Sequence, residues 1–320
     1  MPRILIAAVA LAALVVAPAA SALAQPLPAL KLLVPANPGG GWDQTGRAME
    51  RVLRAENLAT TVRITNRGGA GGTIGLAEFA RARGEGGSLM VMGLVMVGAI
   101  LTNKSAVTLE AVTPIARLTS EYLVIAVPAS SKLQTLKDFT EALRRDPGAV
   151  AIAGGSRGGS DHILAALVAE AVGVPGARVN YVAYAGGGDA VASLLGAQVA
   201  AGISGYGEFQ AHIESRKLRA LAISAPARLP GIDAPTLREQ GVDVEFGNWR
   251  GVAGPAGLSA VDRQALLTLV DRMARSAAWK GELQKHNWDD AYLGGDAFAR
   301  FIRAENDRIT GVLKGVGLVK

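Results

Sequence analysis

The 320-residue sequence predicts an α/β fold: two lobes of alternating strands and helices on largely parallel sheets. Two observations carry that reading. A short apolar strand, a glycine-rich turn and an amphipathic helix follow one another four times along the chain. Two of these units precede the apolar run Tyr122-Leu123-Val124-Ile125-Ala126-Val127 and two follow it, so two lobes are expected to face each other. A ligand would then sit between the C-terminal edges of both sheets, where such sheets usually bind.

The first unit is the clearest. Leu32-Leu33-Val34 reads as a buried strand stopped by Pro35 and Pro38, and Gly39-Gly40-Gly41 supplies the turn. Asp43 suits the N-cap of the next helix, whose Ala48, Val52, Met49 and Leu53 recur at four-residue spacing. Such a junction aims free backbone N–H groups at one point beside the positive end of a helix dipole. A carboxylate or phosphate fits there without a charged side chain.

The later units repeat the device. Thr61 to Thr65 alternates like a strand and enters Asn66 to Gly75, with a helical Leu76 to Ala80 beyond. Leu89 to Met92 is a third strand ending at Gly93; the apolar run to Leu101 is too short to span a membrane and reads as a buried strand and turn. Pro128 closes the Tyr122 strand. Thr135 with Asp138 forms a capping box for a helix with Leu136, Phe139 and Leu143 inward. Val150 to Ala153 leads into Gly154 to His162 and a helix with Ile163 and Leu167 inward. Val179 to Val182 leads through Tyr184 to Asp189 into a helix ending at Gly196. Val199 to Ile203 and Leu218 to Ser224 are strands, a proline-rich stretch follows, and two helices close the chain. Ser259 with Asp262 caps the first; Asp296 starts the second, with Phe298, Ile302 and Ile309 inward.

Residues 1–24 read as a signal peptide. Arg3 is a short positive start, Ile4 to Ala17 an apolar core, and Ala22-Leu23-Ala24 a small-residue cleavage pattern before Gln25. The mature chain is expected to be exported. It has no cysteine, so neither disulfides nor a lipid-modified cysteine enter. Formal charge is +6, or +5 without Arg3, and the basic residues are scattered rather than run together. With 5% aromatic residues there is no stacking platform for bases, and nucleic acid is a poor partner.

The glycine loops exclude two nucleotide motifs by spacing. Gly69, Gly71 and Gly75 miss G-x-G-x-x-G by one residue, and no Gly-Lys pair makes a Walker loop. Gly154-Gly155-Ser156-Arg157-Gly158 does match the G-x-S-x-G elbow of secreted α/β-hydrolases, which would recruit His286 as base and Asp233 or Asp243 as acid. Flanking glycines make a chance match easy, however, and no His-Gly-Gly oxyanion segment lies upstream. His162, in the first turn behind a glycine loop, would bond a ligand or a loop carbonyl. Arg250, beside Trp249 and ahead of a strand, would clamp a carboxylate or form an interlobe pair. Asp189 reads as a helix cap, and Trp42 as a cleft wall or packing residue. No catalytic set, metal set or cofactor motif emerges, so the chain reads as a binding protein rather than an enzyme. A handful of hydrogen bonds to a charged group, at roughly 1.5–3 kcal/mol each, reaches micromolar affinity.

These residues resemble one family. Pro38-Gly39-Gly40-Gly41-Trp42-Asp43, Asn66 to Gly75, Gly155 to His162 and Tyr184-x-Gly-Gly-Gly-Asp189-Ala190 occur in order. They are followed by Leu218 to Ser224, Arg228-Leu229-Pro230-Gly231, Pro235-Thr236-Leu237, Gly241 and Asn248-Trp249-Arg250-Gly251. In this the chain is similar to the periplasmic solute-binding subunits of tripartite tricarboxylate transporters, also called Bug receptors. The resemblance implies a type II periplasmic-binding-protein fold with two crossover strands, those of Tyr122 and Leu218. Lobe one would be 25–124 with 225–320, and lobe two 125–224. It implies a monomer that closes on a small carboxylate and hands it to a large and a small membrane subunit. An orphan carboxylate sensor is the alternative within the family. Gly40, Asp43, Thr73, Ser156, Gly159 and Gly187 would neighbour the ligand, with Ser204 near the hinge. The Trp-Arg-Gly and triple-glycine-Asp versions resemble the citrate branch. Arg157 and Gly207 depart from the family pattern, and a cationic Arg157 in the cleft would favour a more highly charged anion.

Overall fold

Strand, glycine turn and helix alternate from Leu27 onward in the computed structural model, which describes residues 27–320. The expected signal peptide lies outside the described residues. Strand β1 (Leu27–Val34) leads through the Pro35–Gly40 turn into α1 (Gly41–Ala55), then β2 (Ala59–Asn66), α2 (Thr73–Phe79), β3 (Ser88–Gly93) and α3 (Leu94–Thr102). The long β4 (Val112–Pro128) is followed by α4 (Leu136–Arg145), β5 (Ile152–Gly154), α5 (Ser160–Ala171), β6 (Tyr181–Ala183) and α6 (Gly187–Leu195). Then come β7 (Ala201–Gly205), α7 (Tyr206–Glu214), β8 (Leu218–Ile223), β9 (Gly247–Pro255), α8 (Ala260–Arg275), α9 (Ala277–His286), β10 (Asp289–Gly294) and α10 (Gly295–Gly315).

The strands run β2-β1-β3-β9-β4-β7-β5-β6, with β10 and β8 also pairing with β4. Strand β4 belongs to both halves of this arrangement. Up to Tyr122 it pairs with β9, and from Leu123 onward with β7 and β8. The sheets are mixed, against the expectation of largely parallel ones. Strand β1 lies parallel to β2 and β3, and β5 to β6 and β7, whereas every pairing of β4 and β9 is antiparallel. The parallel pairs come from the strand–glycine–helix units; β4 and β9 are return strands threaded between them.

Local signals behave as their chemistry requires. Thr135 and Asp138 form the full capping box of α4, whose Leu136, Phe139 and Leu143 are buried. Ser259 accepts from the Asp262 N–H at the start of α8. Four elements differ from the sequence reading. The run after Gly93 is the helix α3, not a turn. Strand β9 contains Arg250 rather than following it, because β3 and β4 flank it on both sides. Strand β10 was not anticipated. Three helices close the chain, the extra one being α9, capped by Ser276.

No helix among the described residues is long and apolar enough to cross a membrane.

Candidate ligand-binding cleft

Glycine junctions leave the carboxyl ends of β1, β5 and β6, and the N-termini of α1, α5 and α6 meet there. The loops of the two halves touch: the Cα of Gly188 would stand 3.9 Å from a Cβ built on Gly39, and the amide nitrogen of Gly187 3.1 Å from one on Gly40. Asn37 Nδ2 donates to Asp189 Oδ2 across the same gap, at 3.0 Å. Between them lies a cleft with about 60 Å³ of free space, enough for a few waters.

Of the expected site residues, Gly40, Ser156, Gly187, Ser204 and Arg250 line this cleft, as does the wall residue Trp42. Asp43 stands behind it. It is the third residue of α1, not the N-cap, which is Gly40. The buried Asp43 carboxylate accepts from the Gly39 N–H (3.0 Å), Arg47 Nε (2.8 Å) and Asn66 Nδ2 (3.0 Å), so it fastens the first glycine turn onto its helix. Burial pushes this carboxyl up, but the hydrogen bonds from Arg47, Gly39 and Asn66 outweigh it and hold it below the usual range. Thr73 caps locally, its hydroxyl donating to the Ala70 carbonyl at 2.9 Å. Gly159 spends its N–H on the Ser156 carbonyl at 2.9 Å. Asp189 is likewise the third residue of its helix rather than its cap, which is Gly186.

His162 and Arg157 point elsewhere. The His162 ring stacks on Tyr181 with centroids 4.2 Å apart, and its Nδ1 accepts from the Gly158 N–H at 3.0 Å. Burial, helped by Arg157, lowers its pKa to about 4, so the ring is neutral and structural. The exposed Arg157 borders an adjoining surface hollow beside Asn103 and Tyr184, which shares Ser156 and Ala185 with the cleft. The hydrolase set is not brought together either. His286 stacks on Trp288 with its Nε2 3.3 Å from Glu282 Oε2, and Asp243 pairs with Arg238.

The cleft floor is where sequence reasoning fell short. Arg250 of β9 is buried and bound to the Glu121 carboxylate of β4, and its guanidinium carbon lies 5.3 Å from the centre of the Trp288 ring. Glu121 also accepts from Asn248 Nδ2 (3.1 Å) and Trp288 Nε1 (3.2 Å). Glu208, in the first turn of α7, accepts from Ser204 Oγ at 2.9 Å, and its Oε1 stands 3.9 Å from Arg250 Nη2. Asp161 accepts from the Gly155 N–H (2.7 Å) and Ser160 Oγ (2.8 Å). Burial pushes the Asp161 carboxyl up to about 6. Burial and then the nearby Glu121 push Glu208 up to about 8. Glu208 and Asp161 line the cleft and were not singled out from the sequence. The signal for Glu208 was present: Ser204-Gly205-Tyr206-Gly207-Glu208 is a further strand-to-helix junction through glycine.

Comparison with known proteins decides the family. Residues 47–318 match the model described as the tripartite tricarboxylate transporter family receptor. The chain belongs to this family. Among its relatives is the protein BugT of Bordetella pertussis, 32% identical over 74% of this chain and 73% of BugT. The periplasmic binding protein BugD superposes with a TM-score of 0.82 at 23% identity, over 92% of this chain and 99% of BugD. MatC of Rhodopseudomonas palustris with bound malate does so at 0.81 and 22%, over 90% and 99%. These likenesses establish the type II periplasmic-binding-protein fold: two α/β lobes around a central cleft, joined by crossover strands. Receptors of the tripartite tricarboxylate transporter family are solute-binding proteins, and periplasmic.

Proposed function

We propose that this receptor captures a small carboxylate in the periplasm by closing its lobes, and delivers it to the large and small membrane subunits of a tripartite transporter. The observation that carries this reading is the convergence of the α1, α5 and α6 N-termini, from both halves of the sheet, on one cleft. Helix N-terminal amides bind anions without a charged side chain. The malate held by MatC fits the same ligand class. The lobe division 25–124 with 225–320, and 125–224, is supported by the change of partners in β4 between Tyr122 and Leu123. Export with cleavage after Ala24 belongs to the same reading, as does action as a monomer without cofactor.

Citrate, the ligand expected from the sequence, fits the cleft less well. Two carboxyl groups line its floor, Asp161 and Glu208, and the cation among them, Arg250, is already paired with Glu121. A trianion would find the ionised Asp161 and no uncommitted cation there, which favours a mono- or dicarboxylate. A thermal-shift screen of the mature chain against citrate, malate, adipate, monocarboxylates and amino acids tests the reading. A ligand at a hundredfold over its Kd should stabilise by about 2.7 kcal/mol. Silence across all carboxylates would overturn it, and a citrate hit would overturn the charge argument alone.

A further inference from the structure

The cleft continues into the hollow that Arg157 borders, with Ser156 at the junction of the two. The hollow has about 260 Å³ of free space, against about 60 Å³ in the cleft. Both halves of the chain build it: Ala70 and Asn103 from one, Ser156, Arg157 and Tyr184 from the other. Its rim is a contact between those halves. The Thr102 hydroxyl, at the end of α3, donates to the Arg157 carbonyl at 3.2 Å, and the Thr102 side chain fills the place that a side chain at Gly158 would take. Asn103 Nδ2 holds the facing bank by donating to the Ala70 carbonyl at 2.9 Å. Parting of the lobes separates Thr102 from Arg157, and hollow and cleft then become one opening.

Charge singles out one side chain on this route. Among the described residues, Arg250 and Arg157 are the cations that line cleft and hollow. Arg250 is buried and committed to Glu121, whereas Arg157 is exposed. An anion arriving from solvent therefore meets the Arg157 guanidinium before any other positive side chain of the site. We propose that the hollow is the vestibule of the cleft and that Arg157 is its capture residue: the guanidinium draws a carboxylate to the mouth and releases it as the lobes close. This rests on the receptor reading above. A charge at a rim acts on the encounter, through association rate and salt dependence, more than on the finished complex. Its pairing with a ligand stays in water, where an ion pair is weak and screened.

Stopped-flow mixing with butyrate, malate, adipate and citrate tests the vestibule, read by tryptophan fluorescence because Trp42 lines the cleft. For each acid that binds, Arg157→Gln should lower kon at low salt by roughly threefold per negative charge on the acid, the effect of a unit charge about 7 Å away in water. The dissociation rate should stay as in the wild type. The fall of kon with added salt should be shallower in the variant, and the two proteins should converge near 1 M salt, where the Debye length is about 3 Å. Arg157→Lys should keep the wild-type rate and slope, and Arg157→Glu should be slower than Arg157→Gln. Equal kon in wild type and Arg157→Gln at low salt would overturn the vestibule and leave the receptor standing. So would a loss confined to koff, which would mean that the guanidinium holds the bound acid. Silence of all four acids would overturn the carboxylate reading and the vestibule with it.

Discussion

The Arg250 guanidinium occupies the volume that a side chain at residue 41 would need. The relationship recurs across the cleft floor: Glu208 fills the space of a missing side chain at Gly187, and the Glu121 carboxylate that at Gly205. None of these three glycines has a positive φ. They are therefore required for room rather than for backbone freedom, and the loops that offer amides to a ligand also admit the buried charges beneath it.

A methyl group at residue 41 should accordingly overlap Arg250 and displace it. Overpacking of this kind costs about 1–3 kcal/mol, and the melting temperature of a chain this size falls by roughly 2–4 °C per kcal/mol. Differential scanning calorimetry of Gly41→Ala should show that loss together with weakened ligand binding. An unchanged melting temperature would mean that the guanidinium has somewhere else to go.

Arg250→Met should be more damaging. It removes the one cation among Glu121, Asp161 and Glu208, and breaking a buried pair by deleting one partner costs about 3–5 kcal/mol. Urea unfolding should register that loss. The double variant Arg250→Met/Glu121→Gln should recover part of it, since fewer charges are then left unpaired. Equal losses in the single and double variants would show that Arg250 acts by packing alone.

The same cluster should make stability fall with pH on the alkaline side of neutrality. Folded Glu208 titrates at about 8 and Asp161 at about 6, both raised first by burial. Between its unfolded and folded pKa each group holds more protons folded than unfolded. Its stabilising contribution is full below the unfolded value, about 4, and is lost as pH rises through the folded one. His162 works oppositely. Lowered to about 4 by burial, it contributes above its unfolded value of about 6.5 and loses that contribution as pH falls. Above about pH 6.5 only the carboxylates act, so the ligand-free melting temperature should decline toward pH 8. Glu208→Gln should flatten that decline; a slope of the same size in the variant would assign it to other groups.

What could be read in the sequence was local. Thr135 with Asp138, and Ser259 with Asp262, announce helices because the capping residues lie within one turn of each other. The opening glycine junction was legible for the same reason, although Asp43 proved to tie the turn from inside the helix. Arg250 was misplaced because Gly247 to Pro255, with its glycines and an arginine, does not look like a buried strand; β3 and β4 make it one from either side. The glycine junction ahead of Glu208 was local too, but the meeting of the acids left no such trace. Glu121, Asp161, Glu208 and Arg250 come from four separate elements and acquire their chemistry only when those elements meet.

Asn37 and Asp189 offer a test of closure itself. Asn37 follows β1 and Asp189 stands in the first turn of α6, so their 3.0 Å hydrogen bond joins the loops of the two halves outside the cleft floor. A hydrogen bond to a charged group contributes roughly 1.5–3 kcal/mol when shielded, and less at an exposed site such as this one. Even about 1 kcal/mol is enough to shift an open–closed equilibrium severalfold. Asp189→Ala should therefore move the ligand-free protein toward open forms, raising its radius of gyration in small-angle scattering. Saturating ligand should restore the wild-type value, because the closed state gains contacts that the variant has not lost. The melting temperature should change little, since the contact belongs to the relation between lobes and not to either core. A radius of gyration indistinguishable from wild type without ligand would mean that the glycine loops hold the cleft closed by their own packing, with Gly40 against Gly187 as the main contact.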